Sequence, residues 1–79
     1  MLELRPNCEC CDKDLPAEAA GAFICSFECT FCEACATAVL KGRCPNCTGQ
    51  LVQRPARPVH MLSRSPASSK RILKPAGCA

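Results

Sequence analysis

Seventy-nine residues make one domain at most, and a domain this small hides only about 60% of the surface that its unfolded chain exposes. Ten cysteines, three Phe and no Trp or Tyr leave little for an ordinary apolar core, so the fold needs disulfide or metal staples. The formal charge of +3 divides unevenly: residues 1–52 hold seven acids against four bases, and residues 53–79 hold six bases and no acid.

The start, "MLELRPNCEC", places Glu3, Arg5 and Glu9 among its first ten residues. It lacks the apolar run of about 7–15 residues that a secretory signal needs. No stretch approaches the roughly 20 apolar residues of a membrane span. The expected compartment is therefore the cytoplasm, with no membrane association. Thiols stay reduced there, and a dense cysteine pattern points to metal rather than disulfides.

Cys8, Cys10 and Cys11 come first. "LPAEAAG" follows as a loop or a single helical turn. "AFICSF", Ala22 to Phe27, is a short apolar run better suited to a strand than a helix. "EACATAVLKG" is the best helix candidate, rich in Ala, with Gly42 as its C-cap and Lys41 in its last turn. On that helix Cys32, Cys35, Val39 and Leu40 fall near one face. "CPNC" closes the cysteine-rich part. The remainder, "QRPARPVHMLSRSPASSKRILKPAGCA", carries Pro, Ser and basic residues without an apolar period, the composition of a disordered tail. The expected division is a cysteine-rich domain over 1–52 and a flexible basic tail over 53–79.

The cysteine spacing carries the chemistry. Cys8 and Cys11 are separated by two residues, as are Cys32 and Cys35, and Cys44 and Cys47; Cys25 and Cys29 are separated by three. A two-residue spacer lets the chain turn back so that both sulfurs reach one ion and turn N–H groups bond the thiolates. Four sulfurs at about 2.3 Å satisfy tetrahedral zinc. Four pairs therefore predict two Zn²⁺ ions held by Cys8, Cys11, Cys25, Cys29, Cys32, Cys35, Cys44 and Cys47. Iron or an iron–sulfur cluster is the competing occupant. Cys10 competes with Cys11 for the first pair; the commoner spacer favours Cys11, leaving Cys10 as a spare thiol packed under the turn, or a redox-sensing one. Cys78 is expected to be a free tail thiol. Two all-thiolate sites would make residues 1–52 strongly acidic.

The order of these pairs is similar to that of RING and related cross-brace zinc fingers, over about residues 8–52. The likeness includes Phe31 before Cys32, the "CPNC" turn and Leu51 after it. It implies a small RING-like or treble-clef fold, with short strands and one short helix after Cys32. It also implies that Cys8, Cys11, Cys32 and Cys35 share one ion, and that Cys25, Cys29, Cys44 and Cys47 share the other. Spacing alone leaves a sequential pairing open. "MLELRPNCECCDKDLP", "ICSFECTFCEACA" and "CPNC" together resemble the bacterial domain-of-unknown-function 1272 family, over nearly all of residues 1–55. That resemblance implies a bacterial source and brings no activity with it.

Enzyme readings find little support. Of the positions through which RING ligases engage a conjugating enzyme, three depart, with Cys10, no aromatic between Cys35 and Cys44, and Thr48, and only Pro45 matches. His60 is the only histidine and lies in the tail, where a solvated role is expected. Eight paired cysteines leave no open zinc position. The expectation is a non-catalytic zinc module acting as a small adaptor or regulator with a protein partner, docked at a groove flanked by Leu15, Val39, Leu40 and Pro45. Nucleic acid is an alternative partner through phosphate contacts of the basic tail, though no aromatic there stacks on bases. A thiol redox or metal sensor is a further alternative. No small-molecule substrate is evident.

Overall fold

The structure, a computed structural model, describes residues 2–74. Cys78 and the last five residues of the expected tail lie outside the described residues. Three short strands form one antiparallel sheet: β1 (Ala22–Ile24), β2 (Thr30–Cys32) and β3 (Val52–Gln53), in the order β2-β1-β3. The apolar run expected as a strand supplies β1. In the hairpin β1–β2, Phe23 faces Phe31, and Ala22 faces Cys32. On the other edge Ile24 pairs with Val52.

The hairpin sets the positions of three cysteines. Cys25 directly follows β1 and Cys29 directly precedes β2, so both lie at the turn. Cys32 ends β2 at the far end of the same hairpin. Because β2 rises about 3.3 Å per residue, the sheet separates these two ends by about 10 Å.

After β2 the chain enters its helical segment. Glu33 and Ala34 begin it, and Cys35–Val39 form a wide turn in which the Leu40 N–H donates to the Cys35 carbonyl at 2.8 Å. This five-residue spacing is a π-type widening, which often marks a functional stretch of helix. The helix expected here is present but short. Lys41 and Gly42 both take left-handed backbone, at φ 52° and 79°, and the Gly42 N–H returns to the Ala36 carbonyl at 2.8 Å. Gly42 thus closes the helix as expected. Cys35 and Ala36 are buried, whereas Val39 is exposed, so the apolar face is narrower than its spacing predicts.

The core is small. Phe31 is fully buried at its centre, among Leu15, Ala22, Ala36, Leu51 and the sulfurs of Cys8, Cys25, Cys32, Cys35 and Cys44. Cysteines therefore serve as core residues as well as candidate ligands.

Residues 53–74 differ from the loose tail that their composition suggests. Arg54 is 3% exposed; its Nη1 donates to the Arg5 carbonyl, and its Nη2 to those of Leu15 and Pro16, at 2.9, 3.1 and 3.4 Å. Burial lowers its pKa, yet the carbonyl oxygens replace the water that the guanidinium loses. The Arg57 N–H bonds the Ala17 carbonyl, and its guanidinium reaches Ser65 and Leu2, closing an exposed excursion that carries a short 3₁₀ turn at Val59–Met61 with His60 solvated. The Ser68 and Lys74 N–H groups then bond the carbonyls of Glu3 and Glu9 at 3.0 and 2.8 Å. The segment is held by backbone pairs and buried guanidinium bonds, neither of which leaves an apolar period in the sequence.

Lysine in place of Arg54 keeps the charge but cannot span three carbonyls at once. With charge-assisted hydrogen bonds worth about 1.5–3 kcal/mol each, Arg54→Lys is expected to destabilise the purified protein by about 2–3 kcal/mol. Urea unfolding checks this through a lowered midpoint with an unchanged slope.

Candidate metal centre

Two turns of the chain are built alike. Around Cys8, the Cys8 N–H donates to the Lys13 carbonyl and the Asp12 N–H to the Cys8 carbonyl, at 2.8 and 2.9 Å. Around Cys44, the Cys44 N–H donates to the Gly49 carbonyl and the Thr48 N–H to the Cys44 carbonyl, again at 2.8 and 2.9 Å. Asp12 and Thr48 occupy the same place and both adopt left-handed backbone, at φ 64° and 62°. Each turn is closed by a bridge, Asn7 with Asp14 and Arg43 with Gln50. The Cys10 N–H points at Cys8 Sγ and the Asn46 N–H at Cys44 Sγ, both at 3.4 Å. These are the N–H to sulfur bonds expected of a two-residue spacer that holds a thiolate.

The hairpin turn is a shorter version. The Phe27 N–H points at Cys25 Sγ at 3.3 Å, and the Glu28 N–H bonds the Cys25 carbonyl. Here the left-handed residue is Glu28, φ 65°, three places after the first cysteine instead of four. The second cysteine is thereby displaced to Cys29, at the lead into β2.

The sulfurs gather into two groups. Those of Cys8, Cys11, Cys32 and Cys35 all lie within 4.8 Å of one another, as do those of Cys25, Cys44 and Cys47. Cys11 and Cys32 sulfurs are 3.7 Å apart. In chain order the groups alternate, so the sites are interleaved rather than sequential. Seven of the eight expected ligands fall into these groups, and Cys11 rather than Cys10 completes the first pair. Cys29 stands outside the second group, although its thiol and backbone N–H still face Cys25. Cys10 packs against the core beside the first site and is disulfide-bonded, not the spare or redox-sensing thiol that its place beside Cys11 suggests.

The electrostatics suit a cation. Two thiolates about 4 Å apart repel by about 4 kcal/mol at an effective dielectric of 20. Each group accordingly pairs a thiol that ionises more readily than usual, Cys8 or Cys25, with at least one that resists. Burial opposes the Cys8 thiolate, but the N–H groups of Cys32, Cys11 and Cys10 outweigh it and lower its pKa. Burial also opposes Cys25, yet the N–H groups of Phe27 and Cys29 bring it down to about 7. For Cys11 the Lys13 N–H is outweighed by burial and by the thiols of Cys8 and Cys32, and the pKa rises. Burial and the thiols of Cys32, Cys11 and Cys8 push Cys35 far up. Burial outweighs the N–H groups at Cys44 and takes it to about 12. A divalent ion removes the conflict by neutralising the thiolates it binds, and all-sulfur tetrahedral sets suit zinc.

Several contributing residues are not among the gathered sulfurs. Asp12, Thr48 and Glu28 shape the turns, and Gly49 lets its N–H approach Cys47 Sγ to 3.4 Å. Their signal is the offset from the preceding cysteine, visible only when "NCECCDKD" is laid over "RCPNCTGQ". Leu15, expected beside an open groove, belongs to the core instead. Among the described residues no helix is long and apolar enough to cross a membrane.

A family described as "Protein of unknown function (DUF1272)" matches residues 1–57. An uncharacterised protein of Rhizobium meliloti (strain 1021) is 63% identical over 79 residues, covering 100% of this chain and 94% of its own. No solved structure matches.

A Cβ at Gly49 would lie 3.2 Å from Cys47 Sγ. Gly49→Ala is expected to weaken metal binding at the second sulfur group while sparing the first. A cobalt titration followed by sulfur-to-metal charge-transfer absorption checks it: the first equivalent is unchanged and the second is weakened.

Proposed function

Since the chain belongs to the DUF1272 family, whose description carries no activity, its chemistry must be read from its sulfurs, and we propose a structural zinc-binding module that presents a surface to a protein partner. The observation that supports it is the alternation of two thiol groups through one small core. Cys8, Cys11, Cys32 and Cys35 hold one zinc ion; Cys25, Cys44 and Cys47 hold the other, with Cys29 as fourth ligand after a small adjustment of the turn. This is a cross-brace of the RING-like or treble-clef kind. Each structural zinc contributes on the order of 10 kcal/mol to folding, which the Phe31 core needs. With Cys29 completing the second set, every zinc ligand is a cysteine and no coordination position remains for a substrate, so in this reading the zinc ions are structural and the module is non-catalytic.

The basic segment favours a protein partner over nucleic acid. Arg54 is buried, Arg57 is bound to carbonyls, and Arg71 and Lys74 are bonded to polar groups of the module. Few of its cations are left for phosphates. The cytoplasm is the compartment in which such thiols stay reduced.

Native mass spectrometry of protein purified without added metal or chelator tests the reading. Two zinc ions per chain are expected, with loss of folded-state circular dichroism on chelation. One zinc, iron, or a metal-free chain that stays folded would overturn it.

A further inference from the structure

Residues 71–74 lie across the first cysteine turn in a way that resembles a bound ligand more than a packed tail. The Asn7 side chain is buried and exchanges two bonds with one backbone unit: the Ile72 N–H donates to Asn7 Oδ1 at 3.3 Å, and Asn7 Nδ2 donates to the Ile72 carbonyl at 3.0 Å. One residue earlier, the Arg71 guanidinium bridges Asp12 and Asp14, each at 2.9 Å. Two residues later, the Lys74 N–H bonds the Glu9 carbonyl and its ammonium bonds Asn46 Oδ1, both at 2.8 Å. Asn46 is itself held by Glu9, at 2.9 Å. Leu73 is exposed between these anchors.

Main-chain bonds at one position, flanked by charge-reading contacts, are how extended peptides are recognised. From this geometry we propose that the groove formed by Asn7, Asp12, Asp14 and Asn46 is a peptide-binding site, occupied in the same chain by residues 71–74. Its partner is an extended protein segment of the pattern Arg-x-x-Lys. The second position must carry an N–H, which excludes proline; the third is unselective. The inference rests on the reading of the chain as a metal-stabilised interaction module and names the partner of that module. The tethered segment acts as a built-in competitor. At an effective concentration of about 1 mM, and an intrinsic Kd of about 0.1 mM, it would cover the groove in about nine molecules of ten.

The probe is a dye-labelled peptide of the sequence Ser69–Lys74, titrated by fluorescence anisotropy against the full chain and against Arg71→Glu and Ile72→Pro. Both substitutions lie on the segment, outside the metal centre, and release it by different means. Each is expected to tighten peptide binding about tenfold over the unaltered chain. Adding Asp12→Asn and Asp14→Asn to Arg71→Glu should abolish that binding, as should a peptide with Glu at the arginine position. Equal or absent binding in the released variants would overturn the proposal, as would equal binding of a scrambled peptide. A concentration-dependent dimer of the unaltered chain that Arg71→Glu abolishes would also overturn it, in favour of exchange between copies. Zinc counted in the same samples separates the two readings: two zinc ions without peptide binding sinks only the groove, whereas failure of the zinc count sinks the module.

Discussion

Four sulfurs held within 4.8 Å of one another form an arrangement that like charge opposes. The chain supplies the geometry, and a bound cation could supply the compensation. Much of the first 52 residues is organised around this constraint. The two matched turns aim backbone N–H groups at Cys8 and Cys44, the hairpin does the same at Cys25, and the widened helix brings Cys35 up behind Cys32. Residues that would rarely choose left-handed backbone, among them Thr48 and Glu28, adopt it where a turn must reverse. For L-residues that conformation costs about 1–2 kcal/mol. It persists because the sulfur geometry overdetermines the turn.

The second support is the set of guanidinium contacts from residues after β3. Arg54 sits in the interior without a carboxylate, solvated by three carbonyl oxygens. Those carbonyls belong to Arg5, Leu15 and Pro16, which flank the first cysteine turn and lie outside the sheet. Arg54 therefore ties the N-terminal arm to the end of β3. Arg71 works differently. Its two carboxylate partners are exposed, where isolated ion pairs contribute little to stability. Its value is in choosing register along the groove rather than in holding the fold. The two arginines thus divide between structure and selection.

How much of this the sequence discloses depends on the interaction. The gathering of seven of these cysteines was legible because the two-residue spacer has a direct geometric meaning, and β1 was legible as an apolar run between loops. The alternation of the two sulfur groups was implied only by the resemblance of the cysteine order, since spacing permits a sequential pairing equally well. The departure of Cys29 was hidden in a single extra residue, which moves the left-handed position from after the second cysteine to before it. Least legible was the segment after Gln53. Its composition is that of a solvated chain, but its order comes from main-chain groups and from carbonyl-bound guanidiniums. Neither depends on apolar periodicity. Nothing about Asn7 marks it in the sequence as the residue that grips Ile72.

The sheet has a bearing on how such a chain can change over time. β2 is three residues long, and its ends serve different sulfur groups, so one inserted residue there would turn Cys32 to the opposite face. The cysteine turns are equally intolerant, because each is closed by its own backbone bonds. The excursion between Arg57 and Ser65 is different: one side-chain bond joins its ends, and its apolar residues are largely solvent-facing. Doubling a loop adds only about 0.6 kcal/mol of closure entropy. Length variation among relatives should therefore collect in that excursion, and a fluorescent label or affinity tag placed there would disturb the rest least.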